Sequence, residues 1–298
     1  MNVTIDPGSG FCKGVIRAIE SAEESLREGP LFSLGAIVHN EAELSRLCAE
    51  GMVTIDREDL SQMAPGSAKG SRLLVRAHGE PPRTYERAAE LGFEIIDCTC
   101  PVVLNLQKNI SEAAARLHAE GRRGQIIIFG KEGHAEVLGL LGHAGADSVV
   151  VDSPDSMQRK LDAGKIHVER PLEVFSQTTM NPVEYGKACE LLSSRMKPEG
   201  SLEVHETICR QVATRHRDLS EFALANDVII FVAGRSSSNG KVLSDLCRSV
   251  NIRTYLVSSS EELKKVWFSS SDKVGVCGAT STPRWLLEEV ASTIENLH

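Results

Sequence analysis

The chain predicts an α/β fold of three small units, on three observations. Short β-branched runs alternate with amphipathic stripes, most of the runs are bounded by glycine, serine or charged turns, and three widely spaced cysteines each stand where a strand-like run hands over to a helix-like one. The runs RLLVRAHG, FEIIDCTC, GQIIIFGKEGH, SVVVDS, LEVFSQTT, DVIIFVAGRSSSN, IRTYLVSS and KVGVCGATS read as buried parallel strands, because such strands are covered on both faces and need no alternation with polar residues. Between them, Val15, Ile16, Ile19, Ala22 and Leu26 form one helical stripe, ended by Gly29-Pro30. Leu104, Ile110, Ala114 and Leu117 form a second that ends at Gly121, and Val212, Leu219, Phe222 and Ala223 form a third. The expected units are 13–99, 100–205 and 206–298, the last joined by the N-terminal segment 1–12.

A chain of 298 residues with 41% hydrophobic and 25% charged residues can bury a large core. Its formal charge of -8, with no basic tract to offset it, argues against a general nucleic-acid binder. A small anionic substrate is allowed where the charge is locally offset. The N-terminus has no basic-then-apolar signal pattern, and no apolar run approaches a membrane span, so a cytoplasmic protein is expected. In that reducing compartment, eight cysteines favour metal or redox chemistry over disulfides.

Cys12, Cys100 and Cys209 are the cysteines at the strand-to-helix handovers. The partial positive charge of a helix N-terminus stabilises a thiolate, which is the form that binds metal. Their separations, 88 and 109 residues, are too wide for a zinc finger or a compact ferredoxin run, so each thiolate would come from its own unit. The competing reading is that they pack as small buried hydrophobes.

The turns after the strands add polar chemistry. His39, His78 and His134 each follow a strand-like run, and histidine donates hydrogen bonds to phosphate oxygens. Gly79 and Gly133 could add backbone N–H groups. Ser236-Ser237-Ser238-Asn239 could cradle a phosphate before a helix, and Gln177-Thr178-Thr179 could cap a turn or bind substrate. RAHG, FGKEGH and AGRSSSN place these groups at strand ends, where open α/β sheets bind ligands. Neither a Walker-type phosphate loop nor a dinucleotide fingerprint is present.

Taken together and in order, GFCKGVIRAI, GAIVHN, RAHG, TCP, GHAEV, SQTT, IC, SSN and GATSTP resemble the 4-hydroxy-3-methylbut-2-enyl diphosphate reductase family, from residue 10 to residue 283. The resemblance implies three α/β units in a trefoil around a 4Fe-4S cluster. Cys12, Cys100 and Cys209 match its ligands, leaving one iron without a cysteine to engage the hydroxyl-bearing end of an allylic diphosphate. His39, His78 and His134 match the histidines around the substrate, and Ser237, Ser238, Asn239 and Ser281 match the diphosphate-binding groups. Thr178 and Glu136 match polar residues nearer the reacting end, with Glu136 the proton-delivery candidate and Thr178 positioning the hydroxyl; His134 completes the catalytic set. The implied reaction consumes two electrons and two protons to give isopentenyl and dimethylallyl diphosphates. Its donor would be a ferredoxin or flavodoxin, and the protein would be a monomer or weak dimer.

The chain departs from the family pattern in three places: DCTCP carries Cys98, Cys277 stands in CGATS, and RQVATRH follows the third ligand. Cys98 and Cys277 are therefore rivals for the pocket, whereas Cys48, Cys189 and Cys247 lie in helical candidates. A nonredox dehydratase and a cluster-bearing sensor or scaffold are the alternative functions.

Overall fold

The computed structural model describes residues 1–119 and 123–297, with all their side chains except that of Ser238. Its chain divides into two compact units, Met1–Ile55 with Thr214–His298, and Asp56–Ala213. The first part of unit one contains β1 (Asn2–Ile5), α1 (Lys13–Glu28), β2 (Leu31–Leu34), α2 (Glu41–Ala49) and β3 (Met52–Ile55). Unit two follows with α3 (Arg57–Gln62), β4 (Arg72–Val75), α4 (Pro82–Leu91), β5 (Glu94–Asp97), α5 (Pro101–His118), β6 (Gln125–Phe129) and α6 (Ala135–Ala144). It continues through β7 (Ser148–Val151), α7 (Pro154–Asp162), β8 (Pro171–Ser176), α8 (Pro182–Arg195) and β9 (Ser201–Val204). Helix α9 (Arg210–Leu224) leads back into unit one, which closes with β10 (Val228–Val232), α10 (Ser238–Val250), β11 (Thr254–Val257), β12 (Lys273–Gly278) and α11 (Arg284–Glu295).

The strands form three parallel four-stranded sheets, in keeping with the expected α/β architecture. In unit one a complete sheet has the order β1-β12-β10-β11, so the N-terminal strand completes a sheet otherwise made from the C-terminal third. Unit one also holds the β2/β3 pair, with Leu31 opposite Met52. Unit two contains the sheet β7-β6-β8-β9 and the β4/β5 pair, with Arg72 opposite Glu94.

The central strands β6 and β10 are apolar runs of the sequence. All five residues of β6 and all five of β10 are buried. Alternate side chains of β10 serve two layers: Val228, Ile230 and Val232 pack with α11, while Ile229 and Phe231 pack with Leu219 and Ala223 of α9 and Leu243 of α10. The same division separates Ile127 and Phe129 from Ile126 and Ile128 in β6. This period of two is set by the pleat, and each fully buried large side chain contributes roughly 1.5–3 kcal/mol.

Four strands fall outside the runs read from the sequence: β1, β2, β3 and β9. The sheet edges β1 and β9 are largely exposed, so they carry no apolar run to detect. Helix α1 ends as expected, with Gly29 at its C-cap, but Ile16 is 40% exposed and the buried face is carried by Ala18, Ile19 and Ala22. In α5, Leu104 is exposed, and the stripe is Val103, Leu106, Ile110, Ala113 and Leu117. The expected stop at Gly121 lies outside the described residues.

Candidate functional site

Each of the three helix-start cysteines occupies the same constructed position. Cys12 is the N-cap of α1 and Cys100 the N-cap of α5, and neither thiol caps its own helix. Cys209 immediately precedes Arg210, the first residue of α9. Each cysteine follows a strand, respectively β1, β5 and β9, and its amide donates to a loop carbonyl beyond the strand paired with that one. The bonds run from Cys12 to Thr280 at 3.2 Å, from Cys100 to Ala77 at 3.0 Å and from Cys209 to Thr178 at 2.9 Å. In all three cases the acceptor lies two residues past the strand end, after β12, β4 and β8. The backbone is therefore held while each half-buried thiol stays at the positive end of a helix dipole. Soft thiolates presented this way are the donor set that iron-sulfur clusters take, so the residues fit such a group.

The two rival cysteines differ. Cys277 is fully buried in β12 within the apolar layer of Phe231, Leu219 and Cys247, and burial pushes its thiol well above the ordinary range. That places it in the core. Cys98 is also buried, one residue beyond β5. Cys48, Cys189 and Cys247 lie in α2, α8 and α10, as the sequence suggests.

Unit two brings Glu136, Thr178, His134 and His78 into three local contacts. Glu136 is the second residue of α6 and is 1% exposed. Its Oε1 accepts from the Thr178 backbone N–H at 2.7 Å, and its Oε2 accepts from the Thr178 hydroxyl at 2.9 Å. Burial disfavours the carboxylate more than these two donors favour it, so its pKa is pushed up to about 7. A group that titrates there can both hold and release a proton near neutrality.

The His134 Nδ1 accepts from the Glu136 N–H at 3.2 Å, which places the proton of a neutral imidazole on Nε2. His78 meets His134 edge-on, with ring centroids 5.3 Å apart. Gln177 secures the neighbouring turn by accepting from Lys131 N–H at 3.0 Å and donating to Thr179 Oγ1 at 2.9 Å. Two residues beyond His78, buried Glu80 pairs with Arg57 at 2.5 Å, and desolvation raises its pKa.

Unit one carries the phosphate-like groups. Ser237 is the N-cap of α10: its Oγ accepts from Gly240 N–H at 3.0 Å and lies 3.3 Å from the Ser281 Oγ. Asn239 Nδ2 donates to Thr280 Oγ1 at 3.0 Å, while its Oδ1 is buried without a hydrogen-bond partner among the described residues. Such an orphan costs about 1–3 kcal/mol. Turning the amide over would present its NH₂ at that point instead, a suitable donor for an anion. The side chain of Ser238 lies outside the described set.

His39 belongs to the same unit, just before the Asn40 N-cap of α2. Its carbonyl comes so close to Gly234 that a Cβ there would lie 2.4 Å away, so only glycine permits the approach. Glu41 bridges the two turns by accepting from the Ser236 hydroxyl at 2.9 Å and from the amides of Ser236 and Arg235 at 3.3 Å each. Glu41 was not among the candidates from the sequence. Neither were Asp6, Ser9 and Arg215, a buried polar cluster near Cys12. Their only local signal is polar residues beside a cysteine motif, which is too common to identify them.

The model of the LytB protein family matches residues 3–295. A 4-hydroxy-3-methylbut-2-enyl diphosphate reductase of Bacteroides thetaiotaomicron is 43% identical over 298 residues, covering 100% of this chain and 99% of that protein. The protein of the same name from Porphyromonas gingivalis is 44% identical over 298 residues, covering 99% of each. A solved (E)-4-hydroxy-3-methyl-but-2-enyl diphosphate reductase, described as the terminal enzyme of the non-mevalonate pathway, matches with TM-score 0.69 and 30% identity over 99% of both chains. The E-1-hydroxy-2-methyl-but-2-enyl-4-diphosphate reductase from Plasmodium falciparum matches with TM-score 0.82 and 26% identity, over 98% of this chain and 87% of that one.

Proposed function

The chain belongs to the LytB protein family, and on that premise we propose that it reduces 4-hydroxy-3-methylbut-2-enyl diphosphate to isopentenyl and dimethylallyl diphosphates. Two electrons and two protons balance the reaction: the C–O bond breaks, one proton leaves with the hydroxyl as water, and the other forms the new C–H bond. The proposed ligands of a 4Fe-4S cluster are Cys12, Cys100 and Cys209, whose common helix-start setting and soft donors support the assignment. When bound, such a cluster supplies single electrons and a Lewis-acidic iron that eases departure of the hydroxyl.

The remaining work falls to the chain's own groups. Glu136 carries a proton at its carboxyl and delivers it toward the reacting end, while Thr178 holds both Glu136 oxygens and orients the substrate hydroxyl. His134 is fixed by the Glu136 amide and, with His78 and His39, donates hydrogen bonds to the substrate. Ser237, Ser238, Asn239 and Ser281 take the diphosphate, an assignment supported by the Asn239 amide at the α10 start, whose oxygen lacks a hydrogen-bond partner among the described residues and whose NH₂ would face that point with the amide turned over. The proposed donor is a ferredoxin or flavodoxin, and the proposed division is 13–99, 100–205 and 206–298 with segment 1–12 joined to the last. Among the described residues, no helix is long and apolar enough to cross a membrane.

The observation that carries the reading is the buried Glu136 carboxyl, poised near neutrality and gripped by Thr178. An anaerobic assay with a chemical reductant tests it by counting electrons against product. The expected result is two electrons per isoprenoid diphosphate formed. Loss of the hydroxyl without electron consumption would leave the dehydratase, and neither electron consumption nor product would leave the sensor or scaffold.

A further inference from the structure

Two buried charges of unit one, Asp6 and Arg215, meet where β1 ends. The β1/β12 ladder continues for one rung past Ile5, from the Asp6 amide to the Val276 carbonyl at 2.9 Å, and a turn then closes from the Ser9 amide to the Asp6 carbonyl at 3.1 Å. Beyond that turn a side chain replaces a backbone group. The Ser9 hydroxyl accepts from the Gly278 amide at 2.8 Å and from Arg215 Nη2 at 2.8 Å, and donates to Asp6 Oδ2 at 2.6 Å. A hydroxyl has one hydrogen to donate and two lone pairs, so these three bonds use its full capacity; the Gly278 carbonyl, at 3.4 Å, is a longer competing acceptor than Asp6 Oδ2 at 2.6 Å.

The next rung is the Cys12 amide on the Thr280 carbonyl at 3.2 Å. Ser9 and Cys12 thus grip positions two residues apart, Gly278 and Thr280, with only Gly10 and Phe11 between them. Gly10 has φ +123°, a conformation that side-chain-bearing residues rarely adopt. Arg215, on α9, also pairs with Asp6 at 2.5 Å, and the two side chains are only 7% and 6% exposed. Desolvation makes such a pair poor evidence of stabilisation by itself. What it supplies here is direction, because the arginine can only donate to Ser9 and the carboxylate can only accept from it.

We propose that the Asp6–Ser9–Arg215 junction is a positioning device for Cys12, setting the place of its thiol as a cluster ligand; this rests on the reading of Cys12 as a ligand. Ser9→Ala removes the acceptor of the buried Gly278 N–H and one of the two acceptors of Arg215 Nη2, which keeps Asp6, whereas Ser9→Thr keeps the hydroxyl. The readout is iron release from the anaerobic holoprotein to a ferrous chelator, well below the melting temperature, with the melting temperature recorded separately. Release from Ser9→Ala is expected to be roughly tenfold faster than from wild type, and from Ser9→Thr within about twofold. A lower melting temperature with wild-type release would show a purely structural contact and overturn the proposal. If Ser9→Ala does not fold, Asp6→Asn decides: faster release supports the device, and an unchanged rate overturns it. Full iron retention by Cys12→Ser would instead overturn the ligand reading itself.

Discussion

Replacing Glu136 by glutamine separates proton transfer from shape. Glutamine keeps the length of the side chain, its Oε1 can still accept from the Thr178 amide, and its Nε2 can donate to the Thr178 hydroxyl in place of the present bond. It cannot hold a transferable carboxylic proton. The rise of the Glu136 pKa from 4.5 to about 7 corresponds to roughly 3 kcal/mol of preference for the protonated carboxyl in the folded protein. Between those two pH values the folded state binds more protons than the unfolded state, so the Glu136 contribution to stability falls as pH rises through the window and stays low above it. Glutamine, neutral throughout, escapes that loss. The variant should therefore match wild type near pH 4.5 and exceed it by up to roughly 3 kcal/mol above pH 7. Its turnover should fall about 10²- to 10⁴-fold, the usual contribution of a positioned acid, with substrate affinity and iron content little changed. Denaturant unfolding of the anaerobic holoproteins at pH 5 and pH 8, paired with single-turnover product formation, measures both effects. A stability difference that does not change with pH would refute the buried-carboxyl reasoning, and full turnover by the variant would refute proton delivery by Glu136.

Other expectations follow from the same contacts. Asn239→Ala should weaken binding of the diphosphate substrate by about 1–3 kcal/mol without changing iron content, as read by calorimetry on the holoprotein; unchanged affinity removes Asn239 from the anion site. Cys100→Ser should lose iron after anaerobic reconstitution while Cys98→Ala retains it, and the reverse outcome would reassign the ligand. Phe231→Ala, at a fully buried position of the interior strand β10, should cost about 3–5 kcal/mol and lower the denaturant midpoint; a loss below 1 kcal/mol would show that the layer collapses around the cavity.

The central strands were legible in the sequence because GQIIIF and DVIIFV are continuous apolar runs between turn residues, and only a strand covered on both faces tolerates that pattern. The cysteine positions before α1, α5 and α9 were legible for a similarly local reason, since a helix start is written in the residues around it. The edge strands Asn2–Ile5 and Ser201–Val204 were not, because their half-exposed residues become strands through pairing with β12 and β8. Sequence left Cys277 as a rival ligand, and only packing against Phe231 and Leu219 assigned it to the core.

The same limit governs the chemistry. That residue 136 is a carboxylic acid two residues after a histidine is a property of the sequence, but the pKa of about 7 comes from complete burial against Thr178. Likewise, Ser9 and Arg215 are unremarkable in their own neighbourhoods, yet they meet in the fold across more than 200 residues of chain. Residue type and local periodicity determined the donors and the strands available to this protein. Tertiary structure decided which donors lose water and which find partners, because desolvation and hydrogen bonding depend on distance in space, and the sequence specifies that distance only through the packing of the whole chain.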